Sequence, residues 1–289
     1  MYEREKALVE EVLESYPPCF RENYYNNKKA LTINKKEKEI NFCGISGTYD
    51  EVNNKITLYE DNAIIHELFH VSFRNGKKLN QTISDEYPYY YSNGITFKTD
   101  KNKIGEGLTE GFVEYLSRKV CNTKGHCFEY FIVDLLISIY GEDILKYPFT
   151  NDIVGFYQDK RFFDIMSLMS NLDFYFIYKK DITLFIECSK IIMEEETNVA
   201  LAKTKIKRNL KHIDKSILEL YKNIINYINL IVKEYEHCDY PKIEQYQFTS
   251  KVEEFIKDPS YKSIINLFEY NNYDINKKIE KSLRKIRRK

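Results

Sequence analysis

The run Ile64-Ile65-His66-Glu67-Leu68-Phe69-His70-Val71-Ser72-Phe73 constrains this chain more than any other stretch. In a helix, residues four apart point the same way, so His66 and His70 share a face and Glu67 follows about 100° round the rim. Two neutral imidazole nitrogens can hold Zn²⁺ while the carboxylate beside them takes a proton from an activated water, which is what a metal-dependent hydrolase requires. The remaining positions are apolar on nearly every side, which marks a buried helix. Plain packing would not bury His, Glu and His together, because unpaired polar groups there cost several kcal/mol. A bound cation removes the conflict, and one zinc ion per chain is the expected cofactor.

The flanks suit such a helix. Asp61 or Asn62 is placed to cap a helix over about 63–74, and Asn75-Gly76 to end it in the left-handed conformation. Upstream, 30–33, 40–43, 45–49 and 55–59 are short, β-branched or aromatic runs separated by glycines and by Asn53-Asn54. They predict a small sheet with a hairpin turn at 51–54. Residues 3–15 predict an amphipathic helix, with Leu8, Val9, Val12, Leu13 and Tyr16 on one stripe and Pro17-Pro18 as its stop. Downstream, 75–104 is loop-rich, with the cluster Tyr87-Pro88-Tyr89-Tyr90-Tyr91 and a strand expected at 95–98. A helix over about 105–120 follows, with Leu108, Phe112, Val113 and Leu116 on one side and Glu106, Glu110 and Glu114 on another. Three carboxylates so spaced repel one another unless something positive lies opposite; on a surface helix they would be a solvated acidic face.

Past Cys121 the chain reads as helical to its end. Segments at 128–140, at 143–147 before Pro148, at 161–170 and at 181–195 precede a long helix over about 203–236. Its seam of Ile206, Leu210, Ile213, Ile217, Leu220, Ile224, Ile228 and Ile231 lacks the charge pattern of a paired coil, so a wall of an intramolecular bundle in a monomer is expected. A last stripe, Ile275, Ile279, Leu283 and Ile286, lies among eight Lys or Arg between 277 and 289 and predicts a basic amphipathic helix. The expected organisation is therefore a mixed sheet-and-helix part, 1–122, followed by an α-helical part, 123–289.

The 44 basic and 44 acidic residues cancel, so no overall field advertises nucleic acid or an anionic membrane; only residues 277–289 could make such a contact. The six cysteines, at 19, 43, 121, 127, 188 and 238, are dispersed and form no C-x-x-C pair, which favours a reducing compartment. His126 with Cys121 and Cys127 lacks the paired spacing of a second metal site and is read as packing, and His212, amid Lys and Asp, as exposed. The first residues carry charges instead of an apolar export core, and no segment approaches 18 uncharged apolar residues, so a cytoplasmic protein without a transmembrane segment is expected.

A third zinc ligand is still needed. The stretch Thr109-Glu110-Gly111-Phe112-Val113-Glu114-Tyr115, together with His66-Glu67-x-x-His70, resembles the gluzincin clan of zinc metallopeptidases, the thermolysin-like and aminopeptidase-like enzymes. There a second helix, often written N-E-G-F-A-E-Y, brings a Glu to the metal; here Thr109 stands where Asn is usual. The resemblance spans about residues 45–120. It implies an α+β fold with a zincin-like core, made of a small mixed sheet, the His-motif helix and a third-ligand helix. It also implies Glu110 as third ligand, with Glu106 one turn earlier as the rival, and Glu114 as the carboxylate that orients a ligand His. The strand before the motif, Ile56, Thr57, Leu58 and Tyr59, would be the edge strand that pairs with an extended peptide.

The chemistry implied is hydrolysis of a peptide or protein substrate, with Glu67 as general base. In the clan a Tyr or His also donates to the oxyanion, and Tyr89, Tyr90, Tyr91, Tyr130 and Tyr140 are all open to that role. The glycine-rich exopeptidase motif with Met-Glu-Asn is absent, which favours an endopeptidase, whether general or dedicated to cutting one regulatory partner. The alternative is an inactive zincin scaffold that binds a partner, through the basic C-terminal helix among other surfaces.

Overall fold

The computed structural model describes residues 2–36, 46–85, 88–100, 102–121, 127–159, 169–170 and 172–173. In chain order they form helices α1 (Glu3–Glu14) and α2 (Pro18–Asn27), strands β1 (Thr32–Lys35), β2 (Gly47–Asp50) and β3 (Lys55–Leu58), and helix α3 (Ile64–Phe73). Strands β4 (Tyr90–Tyr91), β5 (Phe97–Lys98) and β6 (Lys103–Ile104) lead into α4 (Glu106–Val120), α5 (Cys127–Tyr140), α6 (Lys146–Thr150) and α7 (Ile153–Gln158). The fold class is α+β. The unit to which these residues belong runs to Asp173, so it takes in α5, α6 and α7 as well as the elements before residue 122. The long helix expected over 203–236, the basic helix over 277–289 and the strand at 40–43 lie outside the described residues.

The His-motif helix is buried as its composition demands: every residue of α3 except His66 is buried. Around it α1 buries Val9 and Leu13. An aromatic cluster joins α2, α3 and α6, with Phe149 stacked on Phe20 at 4.7 Å and edge-on to Phe73 at 5.0 Å. The helix α2 was not expected, because Pro17-Pro18 reads as a stop. Pro18 occupies the first turn of α2 instead, where a missing N–H costs nothing. Pro148 likewise lies inside the short helix α6 and does not end a segment at 147.

Both ends of α3 depart from expectation. Asp61 and Asn62 form a 3₁₀ turn, Asp61–Ala63, that runs directly into α3, and no side chain caps the helix start. Asp61 accepts from Tyr2 Oη at 2.5 Å and from Lys35 Nζ at 2.6 Å. Nor does a left-handed Asn75-Gly76 close the other end: Arg74 leaves it in an extended conformation. The free carbonyls are met from a distance by Asn27, whose Nδ2 donates to Val71 O at 3.0 Å and Arg74 O at 2.6 Å.

The first sheet has the order β1-β3-β2, with β1 parallel and β2 antiparallel to β3. The hairpin turn is where it was expected, with Asp50 Oδ1 accepting from the amides of Val52 and Asn53 at 3.0 Å each and Asn54 left-handed at φ 49°. The order corrects the edge-strand assignment. Ile56, Thr57 and Leu58 belong to the middle strand, paired on both sides, and the Tyr59 amide is taken by Ser46 O at 2.9 Å. A strand so paired has no edge left for a peptide. The second sheet, β4-β5-β6, carries the strand expected at 95–98 in shortened form. Among the described residues, no helix is long and apolar enough to cross a membrane.

Candidate metal centre

α3 and α4 pack together, and their polar residues meet at one point. His66 Nε2 stands 3.1 Å from Glu110 Oε2 and 3.3 Å from His70 Nε2, and His70 Nε2 is 3.3 Å from the same Glu110 oxygen. Ligands roughly 2.0–2.1 Å from a tetrahedral centre lie about 3.3 Å apart, so this triangle has the size of one face of a zinc site. Its chemistry fits as well. Two imidazole nitrogens and a carboxylate oxygen present lone pairs to a common point, and lone pairs so close are tolerated when a cation or a proton lies between them. His66, His70 and Glu110 are the residues that could hold such an ion. Glu106 lies one turn earlier, half-buried, outside that group.

Glu114 is 1% exposed and divides its carboxylate between two groups. Oε2 lies 3.3 Å from His66 Nδ1, and Oε1 accepts from Arg118 Nε at 3.0 Å. A proton held on Nδ1 by Glu114 leaves the Nε2 lone pair facing the triangle, which is the tautomer a metal needs. Arg118 is in turn held over the face of Tyr130, 3.8 Å from the ring centroid. Burial disfavours the charged His66 ring, but hydrogen bonds to Glu110 and Glu114, with the charges of Glu110 and Glu67, outweigh it and hold the imidazole pKa well above its usual value. The site is built to receive positive charge.

Glu67 is 5% exposed and lies against β2. A Cβ on Gly47 would come within 2.9 Å of Glu67 Oε1 and 3.0 Å of both its Cγ and Ala63 Cβ, so the strand approaches the carboxylate closely only because residue 47 has no side chain. The approach is fixed by Ser46 O, which accepts from the amides of Tyr59 and Glu60 at 2.9 Å each and ties the start of β2 to the entry of α3. Two residues on, Tyr49 falls on the same face and lies parallel to the His70 ring, with centroids 6.3 Å apart. Its hydroxyl donates to Asn54 Oδ1 at 2.8 Å, and burial pushes its pKa upward. Sequence reasoning missed this tyrosine. The signal available was the period of two: once Gly47 faces Glu67, Tyr49 must face α3 as well.

The expected oxyanion tyrosines have other company. Tyr89 packs edge-on to Phe97, Tyr91 lies under Lys78 Nζ, and Tyr130 stacks on Tyr115 beside Arg118. Tyr90 sits in β4, paired with Lys98, and Tyr140 ends α5. Thr109, where the clan has Asn, is buried and its Oγ1 accepts from Thr96 Oγ1 at 2.9 Å, so it ties α4 to the second sheet. Comparison with protein-family models, with curated proteins and with solved structures returns no match.

Proposed function

We propose that the protein is a zinc-dependent peptide hydrolase of gluzincin type, an endopeptidase whose zincin-like core is formed by the first sheet, α3 and α4. The observation that carries this reading is the convergence of His66, His70 and Glu110 on one point, with the Glu67 carboxylate buried against Gly47 and its charge acting on His66. Zinc, when bound, would supply a Lewis acid that acidifies water and polarises a carbonyl. Glu67 takes the proton of the attacking water as its oxygen bonds to the scissile carbon, and returns that proton to the nitrogen as the C–N bond breaks. Glu114, pinned by Arg118, keeps the His66 ring in one tautomer throughout.

A place for an extended substrate follows from the sheet order. The bond from Tyr59 N to Ser46 O fixes the alternation of the β2–β3 ladder, so Thr48 faces β3 while Gly47 and Tyr49 turn their N–H and C=O outward. Among the described residues that edge of β2 is unpaired, and it runs past Glu67. A peptide adding to β2 would lie along the base and the metal ligands.

The test is metal analysis together with cleavage of a peptide library by the wild type and Glu67→Gln. One zinc per chain in both proteins is expected, with cleavage lowered in the variant by roughly 10²–10⁴-fold. Stoichiometric zinc with cleavage that does not depend on Glu67 would overturn the hydrolytic mechanism. A chain that takes up no metal would overturn the zinc reading itself.

A further inference from the structure

The helix that brings Glu110 to the site begins without a cap of its own. Its N-cap residue is Gly105, left-handed at φ 87°, and a glycine has no side-chain oxygen to offer the first amides. Those amides are met by a residue far along the chain. Asp173 is 8% exposed, and its Oδ2 accepts from Gly105 N at 2.6 Å while Oδ1 accepts from Gly107 N at 2.9 Å. The fit is tight on both sides. A Cβ on Gly105 would meet Met169 Cε at 2.5 Å, and one on Gly107 would meet Leu172 O at 3.0 Å. Both glycines therefore leave room for the segment that carries the carboxylate.

We infer that Asp173 is a positioning residue for the metal centre: by capping α4 from outside it sets the place of Glu110, and so the affinity of the site for zinc. The inference rests on the zinc reading above. Glu110 stands three residues beyond Gly107, on the next turn, so fraying of the first turn would move its carboxylate by more than the few tenths of an ångström that a ligand bond tolerates. A carboxylate at a helix start also complements the helix dipole. Burial pushes the Asp173 carboxyl up to about 6 against the opposing effect of the Gly105 and Gly107 amides, so the ionised group is kept there at a cost. Local stability alone would not select a costly cap, whereas precise placement of α4 would.

Three measurements on the full chain test this. In the wild type, zinc binding and the cap must strengthen each other by the same factor, so hydrogen exchange at the Gly105 and Gly107 amides should slow by about threefold or more on saturation with zinc. In Asp173→Asn, which keeps one acceptor of two, the zinc Kd from chelator competition should rise by roughly three- to tenfold. The visible absorption of the cobalt-loaded site should change as Glu110 shifts. Unchanged protection in the wild type on zinc binding overturns the inference. So does a folded Asp173→Asn protein with a zinc Kd within about twofold of the wild type and an identical cobalt spectrum. If the variant does not fold, the wild-type exchange measurement decides alone. A wild type that protects these amides but binds no zinc removes the zinc reading and this inference with it. Zinc binding without linked protection removes this inference only.

Discussion

α3 and α4 contribute to the same three-atom triangle, yet they declare their chemistry differently. On α3 every residue but His66 is buried, so His66, Glu67 and His70 stand out against an apolar helix. On α4 the acidic row sits on an ordinary amphipathic helix, and only its last member is buried: Glu106 and Glu110 are half-buried, whereas Glu114 is 1% exposed. A polar group in an all-apolar helix needs a partner for thermodynamic reasons and announces it. A carboxylate on an amphipathic helix does so only once the facing groups are in place, and here those groups are on α3.

The contrast is broken most severely by removing ligands. His70→Ala should weaken zinc by roughly a thousandfold or more and Glu110→Gln by about a hundredfold, while Glu106→Gln should cost less than about threefold. Chelator competition measures all three. An effect of Glu106→Gln as large as that of Glu110→Gln would move the third ligand one turn back.

The caps of the two helices give a pH-dependent form of the same comparison. Burial raises the Asp173 carboxyl from 3.8 to about 6, which is worth on the order of 3 kcal/mol across that interval. Because the folded value is the higher one, the contribution is favourable and complete below about pH 4, and it is lost as pH rises through 6. Urea unfolding of the metal-free protein between pH 4 and 7 should show this decline in the wild type and a flatter profile in Asp173→Asn. Equal slopes in the two proteins would mean that Asp173 is not buried as an ionisable cap.

The interiors of these helices could be read from the sequence because their periodicity is local. The run Ile64 to Phe73 and the stripe Leu108, Phe112, Val113 and Leu116 identify α3 and α4 without reference to anything else. Their ends could not, because what closes them is remote. Asn27 reaches Val71 and Arg74, and Asp173 reaches Gly105 and Gly107, while the adjacent candidates Asp61 and Asn75-Gly76 do not cap α3. Sheet order was hidden for a similar reason. The alternation of residues 55–58 identifies β3 as a strand, but only the pairing of β1 and β2 shows that it lies in the middle. Tyr49 was missed because its interest depends on that order.

Asn27 tests the other remote cap. It is 7% exposed, donates to Val71 O and Arg74 O, and accepts from Arg74 Nη1 at 2.7 Å. Asn27→Ala leaves the last carbonyls of α3 unmet and should lower stability by roughly 2 kcal/mol in chemical denaturation. The zinc stoichiometry should hold, because His66 and His70 lie in the interior of α3. A loss of zinc at unchanged stability would show that the end of α3, and not only its interior, places the ligands.

The smallest change separates the base from the ligands. Gly47 is an ordinary strand residue in backbone terms, so Gly47→Ala meets no conformational strain; what it meets is the Glu67 side chain, with Oε1 at 2.9 Å and Cγ at 3.0 Å, and Ala63 Cβ at 3.0 Å. Of these the Glu67 carboxylate is at the end of a rotatable side chain, and it would yield away from the place where it receives a proton. The triangle of His66, His70 and Glu110 does not touch this contact. Zinc affinity should therefore stay within about twofold while kcat falls about tenfold, the cost of a general base displaced by a few tenths of an ångström. A matched loss of zinc and activity would mean that β2 supports the ligands themselves, and unchanged activity would take Glu67 out of the reaction.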